Sequence, residues 1–272
     1  MLKLICTDLD RTLIPNGEQP ESLGARERFR QLVADEEIFL AYVTGRDRTS
    51  VKQAIEKFQL PVPDFIIADV GASIYNVSNS TWKRLQKWDE MLAKSWGGIQ
   101  SGKISKLLTD IVALQLQEPE NQKPHKLSYY VNLDCDIEAI IGDIDARLKD
   151  AGIRINIIWS IEQATQTGLL DILPDTANKR KAIEYLLVSQ GFSIDNTVFS
   201  GDSGNDLDVV ISPIKSILVA NTDSETRNKV RLESGENIKS VYIASGQGTM
   251  NGNYCAGILE GIYHYFPELK KQ

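Results

Sequence analysis

Apolar segments of strand length alternate along this chain with segments of helical pattern. The first three are "LKLICTDL", "IFLAYVTG" and "DFIIADVG", and helical patterns separate them from about Glu21 to Val33 and from about Thr49 to Phe58. Strands that alternate with helices in this way are typical of a parallel sheet covered by helices on both faces. The same order returns late in the chain with "LLDILP", a helix from about Lys179 to Ser189, "TVFSGD", a helix from about Asn205, "SILVA" and "VYIA". We therefore predict an α/β fold.

The composition changes between these two halves. The stretch "TWKRLQKWDEMLAKSW" holds three of the four tryptophans, and it is followed by the polar "LQEPENQKPHK", the strand-like "LSYYVNL", a helix from about Ile137 to Lys149 and "IRINIIWS". A compact module is readily tolerated as an insertion at a loop tip. We expect residues 1–80 and 167–272 to form the core and residues 81–166 to form a smaller inserted α+β domain, with Trp82, Trp88 and Trp96 packed inside it.

The charge and cysteine content narrow the class of protein. The 30 Lys and Arg residues are scattered against 37 Asp and Glu residues, for a net charge of -7, so a nucleic-acid partner is not expected. The opening "MLKLICTD" lacks the pattern of a signal peptide, and no apolar stretch is long enough to span a membrane. Cys6, Cys135 and Cys255 are an odd number without metal-type spacing. We expect a cytoplasmic monomer with reduced thiols.

Two carboxylates stand at the end of the first apolar run, in "ICTDLDRTL". Residues i and i+2 of a strand point to the same side, so Asp8 and Asp10 would share one face. Two carboxylates held close together do not both ionise unless a cation or a proton lies between them. The pair therefore indicates a metal site, a catalytic site, or both.

Further polar groups follow other predicted strands. Thr44 lies in "VTGR", Lys179 opens a helix after "DILP", and "GDSGND" occupies residues 201–206. In an open parallel sheet the active crevice lies beyond the carboxyl ends of the strands, where these groups would meet. Each has a structural alternative: a turn at Asp10, a helix cap at Thr44, a solvated surface lysine at Lys179, and a polar turn at residues 201–206. Their joint occurrence in this order favours a functional site.

The motifs "DLDRT", "TGR", "NK" and "GDSGND", with an insert between the second and third, resemble the four motifs of the haloacid dehalogenase (HAD) superfamily of phosphatases. The resemblance implies a Rossmann-like parallel-sheet core with an inserted α+β cap of the C2 type. It also implies that Asp8 is the nucleophile that attacks phosphorus, and that Asp10 protonates the leaving group and then activates water.

The remaining roles are also implied by the resemblance. Thr44 would hydrogen-bond a phosphoryl oxygen, with Gly45 and Arg46 beside it in the substrate site. Lys179 would neutralise charge on the nucleophile and the phosphate, although Lys181 in "NKRKA" competes for this role. Mg²⁺ is the implied cofactor, and its implied ligands are Asp8, the backbone carbonyl of Asp10, Asp202 and Asp206. Asn205 would support the metal site and contact the substrate.

The segments "DVGASIYN", "TWKRLQKWDEMLAKSW", "HKLSYYV" and "GDSGNDLDVV" resemble the sucrose-phosphatase family. This resemblance implies that the substrate is a small phosphorylated sugar, and among such sugars it points to sucrose 6-phosphate. Lys126, Ser128 and Tyr129 are candidate sugar contacts, unless alternate residues of their strand only pack the cap. The alternatives are a mannosylglycerate- or mannosylfructose-phosphate phosphatase, a broad sugar-phosphate phosphatase and, in a different class, a sugar phosphomutase.

Overall fold

The computed structural model describes residues 1–34, 37–78, 81–162 and 166–271. Its strands are β1 (Leu4–Thr7), β2 (Phe39–Val43), β3 (Phe65–Ala68), β4 (Ser73–Ser78), β5 (Thr81–Arg84), β6 (Gln115–Leu116), β7 (Leu127–Val131), β8 (Ile155–Glu162), β9 (Thr167–Pro174), β10 (Thr197–Gly201), β11 (Lys215–Leu218) and β12 (Val241–Ile243). Its helices are α1 (Ala25–Val33), α2 (Arg48–Phe58), α3 (Gln86–Ser95), α4 (Ser101–Leu107), α5 (Ile137–Asp150), α6 (Lys179–Gln190), α7 (Leu207–Val210), α8 (Ser224–Glu233) and α9 (Cys255–Tyr265). None of the helices in these ranges combines the length and the apolar character needed to cross a bilayer.

The larger sheet has the strand order β12-β11-β10-β1-β2-β3-β4-β5. Its strands are parallel from β12 to β3, and β4 and β5 continue it as an antiparallel extension. The order reverses at β1, which lies between β2 and β10. Open α/β sheets bind ligands at such a reversal, beyond the carboxyl ends of the strands. The α/β prediction is confirmed.

The strands of this sheet are buried on both faces, as parallel strands usually are. Ile5 of β1 belongs to an apolar cluster with Phe29 of α1 and Leu259 of α9. Leu4 and Cys6 point to the opposite face because side chains alternate along a strand, and they are fully buried as well. The central strands therefore hold the site loops at a rigid sheet edge.

The smaller sheet has the order β6-β7-β9-β8 and is antiparallel throughout. One of its faces packs against α4 and α5. Its apolar cluster includes Ile104, Tyr129, Ile144, Leu148 and Leu170. The sheet and its helices thus have a core of their own.

The chain divides into two compact units, Met1–Arg84 with Lys179–Gln272 and Leu85–Asn178. The domain boundaries expected from sequence need two corrections. The strand β9, expected in the parallel core, pairs along its length with β8 and with β7 in the smaller sheet. Its first residues alternate between partly exposed and buried, which is the pattern of an antiparallel strand with one covered face.

The second correction concerns the start of the insert. Residue 80 lies outside the described ranges, but β5 immediately after it pairs with β4 in the larger sheet. Trp82 on β5 accordingly packs in the core of the larger unit. Trp88 and Trp96 are almost fully buried, as expected, and belong to the smaller unit.

Candidate active site

Two neighbouring strands of the larger sheet place the acidic residues together. Asp8 follows β1 directly, and its backbone N–H donates to the Ser200 carbonyl on β10 at 2.9 Å. Asp202 follows β10, and Asp206 lies one short turn further on. A Cβ atom at Gly201 would lie 2.5 Å from Asp206 Oδ2, so a glycine is needed where β10 ends. Among the described residues, Asp8, Asp202 and Asp206 each offer a carboxylate oxygen, and these atoms lie within 4.8 Å of one another.

Lys179 reaches this acidic cluster from the first residue of α6. Its Nζ donates to Asp8 Oδ1 at 2.9 Å, to Asp206 Oδ1 at 2.7 Å and to Asn205 Oδ1 at 3.0 Å. Lys181 instead has a half-exposed side chain that pairs with Glu184 at 3.0 Å. Of the two lysines that the sequence left open, Lys179 is therefore the one in the site.

The acidic cluster carries more negative charge than its lysine balances. Burial raises the pKa of Asp202 to about 7, and the charge of Asp206 adds to this effect while Arg11 opposes it. Burial also raises the pKa of Asp8, and Asp206 and Asp202 act in the same direction against Lys179. Burial alone would lower the pKa of Lys179, but Asp206 and Asp8 together raise it above its ordinary value.

A divalent cation suits this donor set. Hard cations such as Mg²⁺ prefer carboxylate oxygens, and here three carboxylates converge with one ammonium, from Lys179, and one partly exposed guanidinium, from Arg11. Burial is the main cause of the raised pKa values of Asp8 and Asp202, and the neighbouring carboxylates add to it. Asp8, Asp202 and Asp206 therefore fit the metal that the motifs imply.

The Asp10 carboxylate lies apart from the acidic cluster. Arg46 Nε donates to Asp10 Oδ2 at 2.7 Å, Arg46 Nη2 donates to Oδ1 at 2.6 Å, and Asn16 Nδ2 donates to Oδ1 at 2.7 Å. The expectation that Asp8 and Asp10 share one strand face is wrong, because β1 ends at Thr7 and the chain then turns, with Arg11 in the left-handed region at a φ of 59°. The carboxylates of Asp8 and Asp10 thus have separate surroundings.

The loop with Thr44, Gly45 and Arg46 follows β2. Thr44 is buried, and its Oγ1 accepts a hydrogen bond from the Arg46 N–H at 3.1 Å. The cap of α2 is Asp47, which accepts from Ser50 N, so Thr44 is not the helix cap. This arrangement leaves Thr44 and Arg46 at the carboxyl edge of the sheet, where the sequence placed them.

A strained segment after β3 supports that loop. Asp69 and Val70 are consecutive non-glycine residues with positive φ, at 52° and 56°. Asp69 N donates to the Arg46 carbonyl at 3.0 Å, and Val70 N donates to the Thr44 carbonyl at 3.1 Å. Residues other than glycine rarely adopt a positive φ, and backbone strain of this kind is often found at functional sites. No role was predicted for Asp69 and Val70 from their sequence context "ADVGAS".

Several residues that contact the site were not predicted from the sequence. Thr12 Oγ1 donates to Asp202 Oδ1 at 3.2 Å, and Arg11 Nε lies 3.3 Å from Asp202 Oδ2. Asn221 Nδ2 donates to the Arg11 carbonyl at 2.6 Å. The sheet-edge rule could have pointed to Asn221, since it follows "SILVA" as a polar residue beyond a strand. Nothing in the sequence distinguishes Asn16.

The three candidate sugar contacts, on β7 and at the residue before it, lie in two kinds of surroundings. Tyr129 is in the apolar core of the smaller unit, and burial raises its pKa to about 12. Ser128 points to the other face, where its Oγ donates to Asp171 Oδ1 at 2.6 Å. Lys126 Nζ lies 3.0 Å from Asp171 Oδ2. We therefore withdraw Tyr129 as a sugar contact, because alternation along the strand separates it from Lys126 and Ser128.

Comparison with known proteins shows which family the chain resembles. The family described as sucrose-6F-phosphate phosphohydrolase matches residues 1–266. A protein from Nitrosococcus oceani described as a HAD-like hydrolase is 45% identical over 98% of this chain and 72% of its own length. Sucrose-phosphatase 1 of Nicotiana tabacum is 30% identical over 96% of this chain, which spans 59% of the tobacco protein.

A solved structure shows the same fold. The sucrose-phosphatase of Synechocystis sp. PCC6803, in complex with sucrose and phosphate, has a TM-score of 0.78 and 26% identity, covering 98% of this chain and 99% of that one. The HAD phosphatase assignment made from the four motifs is confirmed. The chain belongs to the sucrose-6F-phosphate phosphohydrolase family.

Proposed function

We propose that this protein is a Mg²⁺-dependent phosphatase that hydrolyses sucrose 6-phosphate to sucrose and phosphate through an aspartyl-phosphate intermediate. The observation that carries the proposal is the buried contact of Asp8 with Lys179, inside an acidic cluster at the reversal of the parallel sheet. The position and surroundings of Asp8 suit a nucleophile, and the family match supports the substrate class.

The first step is attack of an Asp8 carboxylate oxygen on phosphorus. An O–P bond forms, and the bond from phosphorus to the sugar oxygen breaks. Lys179 holds Asp8 in one orientation through its 2.9 Å hydrogen bond and offers positive charge beside the transferring group. The transferring phosphoryl group carries spread negative charge, so positioning and electrostatic stabilisation provide most of the catalysis.

Asp10 is the proposed general acid and base. It gives a proton to the sugar oxygen as the O–P bond breaks, and then takes one from the water that attacks the aspartyl phosphate. Arg46 and Asn16 fix its carboxylate in one orientation.

The metal would be held by Asp8, Asp202 and Asp206. When bound, Mg²⁺ neutralises charge on the carboxylates and on the phosphoryl oxygens. Thr12 and Arg11 orient Asp202 from the side of the β1 loop. Two backbone N–H groups, those of Asp202 and Ser203, orient Asp206 at 3.1 Å and 3.3 Å.

The choice of sucrose 6-phosphate rests on relatives. The Synechocystis structure holds sucrose and phosphate and resembles this chain over almost its whole length. The tobacco sucrose-phosphatase is longer, because this chain spans 59% of it, so its activity is carried over as a proposal. Within the smaller unit, Lys126 and Ser128 remain our candidates for contacts with the sugar.

Phosphate release from a panel of substrates tests the proposal. The panel contains sucrose 6-phosphate, mannosylfructose phosphate, a phosphorylated mannosylglycerate, fructose 6-phosphate and glucose 6-phosphate, each with Mg²⁺ and with excess chelator. We expect the highest kcat/KM for sucrose 6-phosphate and no turnover without metal. An Asp8→Asn protein purified in parallel accounts for any contaminating phosphatase.

Each alternative has a distinct result. Equal efficiency on the monosaccharide phosphates would replace the proposal with a broad sugar-phosphate phosphatase. Preference for a mannosyl substrate would assign the protein to that phosphatase class. A product that keeps its phosphate would indicate a phosphomutase.

A further inference from the structure

Asn221 joins two loops at the active edge of the larger sheet. It lies beyond the end of β11 and is 5% exposed. Its Nδ2 donates to the carbonyl of Arg11 at 2.6 Å, and its Oδ1 accepts from the N–H of Tyr254 at 2.9 Å. Its own carbonyl accepts from Arg11 Nη2 at 3.5 Å. One buried amide thus ties the turn after Asp10 to the residue before α9.

Both backbone partners of the Asn221 side chain have unusual conformations. Arg11 has a φ of 59°, and Tyr254 has a φ of 49° with a ψ of -132°. Residues with a side chain adopt positive φ only where their surroundings hold them there. Tyr254 is also anchored at its other end, because its hydroxyl donates to the Gln19 carbonyl at 3.1 Å. The loop after β1 is therefore fixed from the side of α9.

The turn at Arg11 separates the two carboxylates of the first motif. Asp8 stays beside Lys179, while Asp10 turns to Arg46 and Asn16. The Arg11 N–H donates to Asn16 Oδ1 at 2.8 Å, so Asn16 contacts both the turn and Asp10. A change in the direction of the Arg11 carbonyl would move Asp10 with it.

We propose that Asn221 is a positioning residue for Asp10: by holding the Arg11 carbonyl, it fixes the turn that presents the Asp10 carboxylate to the leaving group. The inference rests on the proposed role of Asp10 as general acid. Asn221 itself touches no reacting atom. A misplacement of about 1 Å in a catalytic group can slow a reaction about a hundredfold, so this distant amide can matter for rate.

Two substitutions distinguish the contribution of the Asn221 N–H donor from that of its side-chain oxygen. Asn221→Asp has nearly the same shape and can still accept from Tyr254 N, but an ionised carboxylate has no N–H to donate to the Arg11 carbonyl. Asn221→Ala removes both contacts. If Asn221→Ala fails to fold, the isosteric Asn221→Asp still decides the question.

The test compares the reaction rates of each variant for two different leaving groups. A sugar alkoxide needs a proton in order to leave, whereas a nitrophenolate does not. Single-turnover rates are measured for sugar release from a sugar phosphate that the wild type hydrolyses and for nitrophenol release from 4-nitrophenyl phosphate. For both Asn221 variants we expect the first rate to fall at least about tenfold more than the second, and the second can fall as well because Arg11 also contacts Asp202.

Two reference variants make the outcome decisive. Asn237→Ala is the matched control, because Asn237 Nδ2 also donates to a backbone carbonyl at 2.9 Å, but this carbonyl is that of Ile211 at the end of α7 and not one in the loop after β1. Asp10→Asn reports on the proposed general acid. If Asp10→Asn slows sugar release selectively while both Asn221 variants behave like wild type, the inference is overturned. If Asp10→Asn slows both reactions equally, the role of Asp10 fails, and the inference fails with it.

Discussion

Lys179 Nζ and Asp206 Oδ1 lie 2.7 Å apart, and both side chains are fully buried. Removing one partner of such a pair leaves an uncompensated charge inside the protein, which is strongly destabilising. The pair also adjoins Asp8, so we expect the same lysine to serve stability and, in the proposed mechanism, catalysis. A substitution at Lys179 should therefore change stability and turnover together.

Lys179→Met should abolish turnover and lower the free energy of unfolding of the metal-free protein by about 3 kcal/mol. Urea unfolding and phosphate release measure the two effects. The matched control is Lys181→Met, two residues further along α6, where a half-exposed lysine pairs with Glu184. That variant should keep wild-type turnover. Loss of turnover in Lys181→Met, with wild-type turnover in Lys179→Met, would make Lys181 the motif lysine.

Asp8→Asn should lower turnover by at least about a thousandfold, because the carboxamide keeps the shape of the side chain but lacks the attacking charge. The measurement is phosphate release with Mg²⁺ present. Asp195→Asn is the control, since the Asp195 side chain is fully exposed, and it should leave turnover unchanged. More than about a tenth of wild-type turnover in Asp8→Asn would remove Asp8 from the nucleophile role.

The contribution of Asp202 to the stability of the metal-free protein should fall as the pH rises from about 4 to about 7. The folded state raises the pKa of Asp202 from its ordinary 3.8 to about 7, so it binds the proton more tightly than the unfolded chain does. This stabilisation is complete below the unfolded pKa and is lost as the pH passes the folded one. The raised pKa of Asp8 acts in the same direction.

The proposed Mg²⁺ site uses ionised carboxylates, so the effect of Mg²⁺ on Tm should have the opposite dependence on pH. We expect a larger rise in Tm on adding Mg²⁺ at about pH 8 than at about pH 5, measured by calorimetry without substrate. Asp202→Asn should remove most of that difference. An equal rise at both pH values would contradict the assignment of Asp202 as a ligand.

The acidic cluster could be predicted from sequence for a geometric reason. Asp8 and Asp202 each follow a strand directly, and the carboxyl ends of parallel strands converge at one edge. Lys179 was predicted by its place at a helix start, although its choice over Lys181 needed the hydrogen bonds. The turn at Arg11 could not be predicted, because arginine does not signal a left-handed conformation as glycine does. The separation of Asp10 from Asp8 follows from that turn.

The errors in the inserted unit have a different origin. The pairing of β9 with β8 and β7 depends on which strand lies beside it in space, which an apolar run alone does not specify. The orientation of Tyr129 toward the core, in contrast, could have been predicted from the sequence. Leu127, Tyr129 and Val131 alternate with Lys126 and Ser128, so strict alternation already separates the tyrosine from the two polar residues.

Tyr129→Ala should lower the free energy of unfolding by about 3 kcal/mol, because it removes a buried ring from the core of the smaller unit. Activity on every substrate should then fall by the same factor. Tyr129→Phe keeps the ring and should leave both stability and activity near wild type. Urea unfolding measures the change in stability, and kcat/KM for two substrates measures the change in activity. A selective loss on the disaccharide, with normal stability, would return Tyr129 to the sugar site.

Lys126 is the sharper test of sugar selection. Its ammonium and the Ser128 hydroxyl converge on the Asp171 carboxylate, at 3.0 Å and 2.6 Å, on the face of the smaller sheet opposite its apolar core. Both charged side chains are mostly buried, with 11% and 16% exposure. Together they offer donors and acceptors in fixed positions, which is what recognition of sugar hydroxyls requires.

Binding energy from a sugar ring that does not react can be used to orient the phosphate, so losing it lowers turnover as well as affinity. We expect Lys126→Met to lower kcat/KM for sucrose 6-phosphate about tenfold or more, and to leave hydrolysis of 4-nitrophenyl phosphate within about threefold, since Asp8, Asp10 and Lys179 are unchanged. Lys103→Met, an exposed lysine on α4 of the same unit, is the control for loss of charge and should alter neither substrate. An equal loss on both substrates would show that Lys126 supports the fold of the smaller unit through Asp171, and that sugar selection depends on other residues.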